Sequence, residues 1–316
     1  MIKLLPLLVI VGPTAVGKTD VAVRVAPRTG GEIISGDSMQ VYKYMDIGTA
    51  KPTPDEMAGV PHYMIDVVDP DEDFNVARFQ QSVEKYIGYI HDRNKLPILV
   101  GGTGLYVRSV TDNYDFTPPG GSSATREELL QIARLYGNGR LAEMLKEVDP
   151  AAAGRIHHND TRRLVRALEV YRATGKPISN FQYCAAIKSP KYNLAYFGLE
   201  MKRESLYKKI EDRVDKMISR GLVDEVKRLV EMGYSRKSTA MQALGYKEML
   251  DYLNGLCTLE EAVQLIKRNT RRLAKRQMTW FRRDERIRWI DVEKYDSLDE
   301  IADKIVLEAE GQYGTM

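Results

Sequence analysis

The chain has 316 residues, of which 43% are hydrophobic, and a formal net charge of +3. This length and composition suit two domains, or one core with a large insertion, and no tract is long and apolar enough to span a bilayer. The two cysteines, Cys184 and Cys257, fit neither a disulfide framework nor a zinc site, so we expect a protein of the reducing cytoplasm.

The first predicted element is a buried strand in the apolar run of residues 4–11. The residues that follow read G-x-x-x-x-G-K-T, and a helix is predicted over 18–25. Between a strand and a helix, this pattern forms a loop whose backbone N–H groups surround phosphate oxygens. The lysine adds positive charge, and the threonine hydroxyl is a ligand for Mg²⁺. The residues predicted to bind a diphosphate or triphosphate are Gly12, Pro13, Thr14, Ala15, Val16, Gly17, Lys18 and Thr19.

The next predicted elements are a strand at 32–35, a helix at 76–93 and a strand at 96–100. Short apolar strands that alternate with helices predict a doubly wound parallel sheet, an α/β fold like that of the P-loop NTPases. Ligands of such sheets bind beyond the carboxyl ends of the strands. Because the phosphate loop, Asp37 and Thr103 each follow a strand, we expect all three at one edge of the sheet.

The carboxylates near this edge indicate which phosphate chemistry to expect. No acidic residue follows the strand at 96–100 until Asp112. Enzymes of this class that hydrolyse nucleotides usually carry an acidic residue there to organise Mg²⁺ and water, so its absence weighs against hydrolysis. Asp37 is placed to act on an acceptor group beside the phosphate loop. From spacing alone, a role as a helix N-cap or as a water-mediated ligand of Mg²⁺ is equally favoured.

The composition changes at residues 117–123, where Pro, Gly and Ser predict a linker. Helical patterns follow, and strand-type sequence returns at 192–201. The remaining predicted elements are helices at 125–136, 139–147, 160–174, 204–232, 258–281 and 298–309, and a strand at 287–292. We therefore divide the chain into a phosphate-loop core (1–116), an inserted all-helical domain (117–189) and the continuation of the core with its C-terminal helices (190–316).

Positive charge is concentrated in residues 267–288, which contain ten Lys or Arg and two acidic residues. A solvated helix face normally interleaves acids at i+4 spacing, and none occurs from 267 to 283. We call this stretch the basic segment. Its composition favours a nucleic-acid partner over the alternative of a solvated surface.

Several stretches of the sequence occur in an order that is typical of one known family. They are the phosphate loop 12–19, GDSMQVY at 36–42, MDIGTAKP at 45–52, GGTGLY at 101–106, Asn159-Asp160 through Arg163, RALEV at 166–170, QALGYK at 242–247, and residues 270–281 with Arg271, Gln277 and Trp280. In these stretches the chain resembles the tRNA dimethylallyltransferases, in the bacterial form that lacks a C-terminal zinc finger. The matches run from the first strand to about residue 292, so the resemblance covers most of the chain.

The resemblance implies transfer of a dimethylallyl group from dimethylallyl diphosphate to N6 of the tRNA adenosine immediately 3′ to the anticodon. The phosphate loop then holds a diphosphate leaving group, and catalysis needs no ATP. Lys18, the loop amides and Mg²⁺ on Thr19 stabilise the charge that grows on pyrophosphate, while Asp37 takes the N6 proton and Thr103 orients the reacting groups. The expected partners are the tRNA anticodon stem-loop and dimethylallyl diphosphate, with no membrane contact and a monomeric chain.

An adenine in the anticodon stack must be extruded before it can reach such a pocket. By resemblance, contacts with tRNA are expected from both the core and the inserted domain, with ordinary surface charge as the alternative for the arginines. Arg213, in the helix predicted at 204–232, is expected either at the diphosphate or on the helix surface. The residues expected to bind tRNA are Asp37, Ser38, Met39, Gln40, Thr103, Arg126, Arg162, Arg163, Arg166, Gln242, Gly245, Tyr246 and Lys247.

Two other functions stay open at this point. An adenylate isopentenyltransferase shares this core but modifies a free nucleotide, and the inserted domain and the basic segment argue against it. The chain is alternatively a phosphate-loop module that binds RNA without catalysis. Such a module has no need of Asp37 and Thr103 beside a leaving-group site.

Overall fold

The computed structural model describes residues 4–112, 122–185 and 190–314, with backbone alone for 123 and 182–185. Most of the predicted linker at 117–123 therefore lies outside the described residues. Contacts between Cα atoms divide the chain into two compact units. We call Met1–Thr111 with Lys191–Met316 the core unit, and Asp112–Pro190 the insert.

The core unit is built on one sheet in which all strand pairs of the described chain are parallel. Its strands are β1 (Leu5–Val11), β2 (Gly31–Ser35), β3 (His62–Tyr63), β4 (Leu96–Gly101), β5 (Tyr192–Glu200) and β6 (Arg288–Asp291), in the order β3-β2-β4-β1-β5-β6. The prediction of a doubly wound parallel α/β sheet is confirmed.

The described helices, in chain order, are α1 (Lys18–Thr29), α2 (Pro54–Met57), α3 (Val76–Asp92), α4 (Gly104–Thr111), α5 (Ser123–Val148), α6 (Pro150–Ala153), α7 (Thr161–Thr174), α8 (Ile178–Ala185), α9 (Arg203–Ser219), α10 (Leu222–Glu231), α11 (Tyr246–Leu253), α12 (Leu259–Phe281) and α13 (Leu298–Tyr313). None of them combines the length and apolar composition needed to cross a bilayer.

The central strand β1 is apolar throughout because packed residues cover both faces of the sheet. Alternate side chains of a strand point to opposite faces. Accordingly, Leu7, Val9 and Val11 join the hydrophobic core on one face, and Leu8 and Ile10 join the core on the other. The carboxyl ends of β1, β2 and β4 therefore lie side by side at a rigid edge.

Two expectations about the core elements differ from the structure. The helix predicted at 204–232 is two helices, α9 and α10, because Gly221 adopts φ of +94° between them. This left-handed conformation is easy for glycine and costly for other residues. Residues 40–75, for which no element was predicted, contain α2, β3 and several turns.

The insert consists of α5 to α8 within its described residues, as an all-helical domain requires. Its helices pack around a small core that includes Leu129, Leu145 and Leu164. Gly137, with φ 75° and ψ 169°, interrupts α5. The interruption falls between the helices predicted at 125–136 and 139–147.

Candidate active site

The phosphate loop lies between β1 and α1, at the carboxyl edge of the sheet. Helix α1 begins at Lys18, directly after its N-cap Gly17. Because the first amides of a helix have no partner within it, the N-terminus of α1 offers hydrogen-bond donors and partial positive charge to an anion. The loop residues from Thr14 to Thr19 line a cavity of about 1590 Å³.

Lys18 is half-buried in this cavity, and its Nζ donates a hydrogen bond to the carbonyl oxygen of Pro13 at 2.7 Å. Burial and the nearby Arg213 guanidinium lower the Lys18 pKa to about 7, although the Asp37 carboxylate acts in the opposite direction. The ammonium thus lacks enough negative charge around it in the free protein. A diphosphate bound in the loop would supply that charge.

Asp37 and Thr103 follow the ends of the adjacent strands β2 and β4. The Thr103 hydroxyl accepts a hydrogen bond from the Ser38 amide at 3.3 Å, and the Met39 amide donates to Asp37 Oδ1 at 2.8 Å. No helix begins at Asp37, so its alternative role as a helix N-cap is excluded, and it caps a turn instead. Asp37, Thr103 and Lys18 line the same cavity, and the predicted juxtaposition at one edge of the sheet occurs.

Arg213 extends into this cavity from α9, where it is half-buried. Burial lowers the pKa of its guanidinium, whereas Asp37, Asp20 and Glu56 act to raise it. An arginine remains protonated under such conditions. Its position favours contact with an anion over the alternative of an ordinary surface charge.

The cavity is larger than the roughly 300–1,000 Å³ of common small-molecule sites, so it has room for two reacting groups. Among the described residues, no cluster of three or more His, Cys, Asp or Glu is arranged to hold a metal ion. Protein sites for Mg²⁺ often rely on substrate phosphates and only one or two side chains. The Thr19 hydroxyl, half-buried beside the phosphate loop, fits that kind of site.

The core residues predicted to bind tRNA divide into two groups. Ser38, Met39, Gln40, Gly245 and Lys247 line the cavity. In contrast, Gln242 is exposed outside the lining of this cavity and donates from Nε2 to the Arg236 carbonyl at 3.0 Å.

Tyr246 is among the residues expected to bind tRNA, but its side chain is not exposed for such a contact. This side chain is fully buried, and its hydroxyl donates to Glu225 Oε1 at 2.6 Å. The buried Glu225 carboxylate also accepts hydrogen bonds from the amides of Asp46, Ile47 and Gly48. Tyr246 therefore stabilises the turn at 46–48, which lines the cavity. The sequence analysis did not single out Glu225, although its spacing from Leu222 and Leu229 places it on the buried face of α10.

In the insert, Arg162 and Arg163 are exposed on α7 and Arg166 is half-buried. Arg163 forms an ion pair with Asp160 at 3.2 Å. Arg126 donates two hydrogen bonds, at 2.7 and 3.0 Å, to the buried Glu169 carboxylate, with which Arg166 forms a longer ion pair at 4.0 Å. This pairing gives Arg126 a structural role, whereas the sequence analysis expected only a contact with tRNA.

Half of the ten cations in the basic segment form ion pairs. The pairs are Lys267–Asp215, Arg271–Glu211, Arg282–Glu200, Arg286–Asp284 and Arg288–Glu308. Four of these acids belong to α9, β5 and α13, so the lack of acids at 267–283 in the sequence did not reveal these partners. Arg272 and Arg276 form no ion pair with any residue that the structure describes, and both line the cavity.

Known proteins are similar to this chain over most of its length. The sequence model of a family described as IPP transferase matches residues 40–284. The tRNA dimethylallyltransferase of Carboxydothermus hydrogenoformans is 56% identical over 303 residues, which cover 96% of this chain and 97% of that protein. The solved tRNA isopentenylpyrophosphate transferase of Bacillus halodurans is 47% identical, with 97% of each chain covered and a TM-score of 0.72. A eukaryotic dimethylallyltransferase acting on tRNA is 31% identical, with 97% of this chain and 79% of that chain covered and a TM-score of 0.82.

Proposed function

The chain belongs to the IPP transferase family, and from this premise we propose that it transfers a dimethylallyl group from dimethylallyl diphosphate to N6 of the adenosine immediately 3′ to the anticodon in tRNA. One observation supports the catalytic roles that we assign to individual residues. Lys18, Asp37 and Thr103 line a single cavity beside the phosphate loop. This arrangement supports the proposal that Asp37 accepts a proton beside a site for a leaving diphosphate.

The donor half of the reaction takes place at the phosphate loop. The bond between the allylic C1 and the diphosphate oxygen breaks, and its electron pair leaves with pyrophosphate. The loop amides, Lys18 and Arg213 stabilise the negative charge that grows on this leaving group. When bound, Mg²⁺ would supply further positive charge to the diphosphate oxygens, and we assign its side-chain ligand to the Thr19 hydroxyl.

The acceptor half involves Asp37 and Thr103. Adenine N6 is a weak nucleophile because its lone pair is delocalised into the ring. As N6 forms its bond to C1, it must lose one proton, and the Asp37 carboxylate accepts that proton. Thr103, which already binds the Ser38 amide, orients the reacting groups beside Asp37. The products are N6-(dimethylallyl)adenosine in tRNA and pyrophosphate.

Recognition of the tRNA is assigned to two sets of residues, in addition to Asp37 and Thr103. Ser38, Met39, Gln40, Gly245 and Lys247 surround the extruded adenine in the core cavity. The α7 arginines Arg162, Arg163 and Arg166 contact phosphates of the anticodon stem-loop. The proposal retains the expectation of a monomeric, cytoplasmic enzyme.

An acceptor comparison tests the proposed function. Labelled dimethylallyl diphosphate is incubated with the protein and either AMP or an unmodified anticodon stem-loop. We expect label in the stem-loop and essentially none in AMP. The reverse result would indicate an adenylate isopentenyltransferase, and label in neither acceptor, despite binding of the stem-loop, would indicate a non-catalytic RNA-binding module. The relatives named above are transferases that act on tRNA, which favours the first outcome.

A further inference from the structure

One side chain of α12 joins the two loops that carry the proposed chemistry. The Gln277 carboxamide oxygen Oε1 accepts a hydrogen bond from the Thr14 amide in the phosphate loop at 2.9 Å. Its Nε2 donates to the carbonyl oxygen of Gly102, directly before Thr103, at 3.0 Å. These partners lie 263 and 175 residues away from Gln277 in the sequence.

Both hydrogen bonds require an uncharged carboxamide at residue 277. This group presents an acceptor and a donor at the same time, whereas a carboxylate only accepts and an ammonium only donates. The approach to the β4 loop is also close. A Cβ atom at Gly102 would lie 2.5 Å from Gln277 Nε2, so a larger residue at this position would displace the carboxamide.

The geometry points to Gln277 as a positioning residue that sets the separation between the phosphate loop and Thr103. Thr103 in turn holds the Ser38 amide, next to the proposed base Asp37. The inference rests on the proposed function, because it concerns how the diphosphate is held relative to the group that attacks C1. In such reactions a displacement of about 1 Å costs up to about 100-fold in rate.

The test compares Gln277→Met with Gln264→Met in the full-length chain. Methionine is similar in length to glutamine but cannot form the two hydrogen bonds. Gln264 is exposed on the same helix and does not line the cavity, so it serves as the matched control. Hydrogen exchange of the Thr14 amide, pyrophosphate affinity and single-turnover transfer to an anticodon stem-loop are measured for both variants.

For Gln277→Met we expect faster exchange at Thr14 and a rate of transfer lowered by about 10- to 100-fold. The pyrophosphate dissociation constant should change less than about threefold, because the remaining loop amides and Lys18 still bind the anion. Gln264→Met should match the unmodified chain in all three measurements. Gln277→Glu serves as a second variant if Gln277→Met does not fold. It keeps the hydrogen-bond acceptor but loses the donor, so it should also accelerate amide hydrogen exchange in the 101–104 loop.

Two results would overturn the inference. One is an unchanged rate of transfer in Gln277→Met, and the other is unchanged exchange of the Thr14 amide. If the unmodified chain transfers no prenyl group, the proposed function fails, and the exchange measurement still decides whether Gln277 holds the loop.

Discussion

At the scale of single residues, the cavity holds the like charges of Lys18 and Arg213 beside the phosphate loop. Lys18 carries a pKa of about 7, mainly because it is buried and close to Arg213. A group with so low a pKa is half-neutral at physiological pH. Its full charge is restored only when an anion binds, so affinity for the anion and protonation of Lys18 are linked.

This linkage predicts a pH dependence of pyrophosphate binding. Below pH 7 Lys18 is already protonated, so few protons are taken up at this group when pyrophosphate binds. Above pH 7 Lys18 must be protonated on binding, and the dissociation constant should rise by up to about tenfold per pH unit. Calorimetry in buffers of different ionisation enthalpy should find proton uptake near one per pyrophosphate at about pH 8.5. Lys18→Met should abolish that uptake, and an uptake unaffected by this substitution would contradict the assignment.

A second residue-scale prediction concerns the proton acceptor. Asp37→Asn preserves the shape and the hydrogen bond from the Met39 amide but cannot accept the N6 proton. We expect kcat to fall by roughly 10²–10⁴, with little change in pyrophosphate affinity. Single-turnover kinetics and calorimetry measure the two quantities separately. Weaker pyrophosphate binding with normal turnover would instead make Asp37 part of the Mg²⁺ site.

Sequence patterns predicted where residues that follow strand ends would lie. They did not predict the roles of residues whose side chains contact a buried group. Lys18, Asp37 and Thr103 follow strands, so topology alone brings them together. Tyr246 and Arg126 carry side chains that commonly bind RNA, and only the folded chain shows that each is engaged by a buried carboxylate, Glu225 or Glu169. No spacing rule identifies such partners in advance.

At the scale of elements, the cations of α12 divide between ion pairs with α9 and the lining of the cavity. Lys267 and Arg271 pair with acids of α9, whereas Arg272 and Arg276 line the cavity. The sequence showed that positive charge is concentrated in this segment. It did not show which cations are paired, because the acids on α9 lie more than fifty positions away in the chain. The same limit applies to the turn at 46–48, since its three amides donate to Glu225, which is remote in sequence.

The division of charge on α12 yields a prediction with a matched control. Replacing Arg272 and Arg276 with Gln should raise the pyrophosphate dissociation constant by roughly threefold to tenfold, since exposed charges contribute little each. Arg268 and Lys275 are exposed on the same helix, away from the cavity lining. Replacing both with Gln removes the same charge and should change the pyrophosphate dissociation constant less than about twofold. Equal effects in the two double variants would show that only net charge matters.

At the scale of the whole molecule, the chain pairs a parallel sheet with a compact helical insert. The sheet was predictable because short apolar strands alternate with helices in the sequence. The hydrogen bonds of Gln277 and Glu225 were not predictable, since they join segments that are remote in sequence.

The insert should contribute affinity for tRNA by binding backbone phosphates. Replacing Arg162, Arg163 and Arg166 with Gln should raise the apparent KM for tRNA. The slope of log affinity against log salt should flatten by about one unit for each phosphate that the variant no longer binds. Filter binding of an anticodon stem-loop between about 50 and 200 mM salt measures this slope. If the slope does not change, these arginines form only a solvated surface.

The central claim is that the phosphate loop binds a prenyl diphosphate whose dimethylallyl group passes to adenine N6. The most direct test incubates the protein with tRNA that lacks the modification, dimethylallyl diphosphate and Mg²⁺, without ATP, and quantifies both products over several turnovers. We predict one pyrophosphate released for each N6-(dimethylallyl)adenosine formed, with the modified nucleoside located immediately 3′ to the anticodon. Turnover that stops unless ATP is added, or pyrophosphate release without modified nucleoside, would contradict the claim.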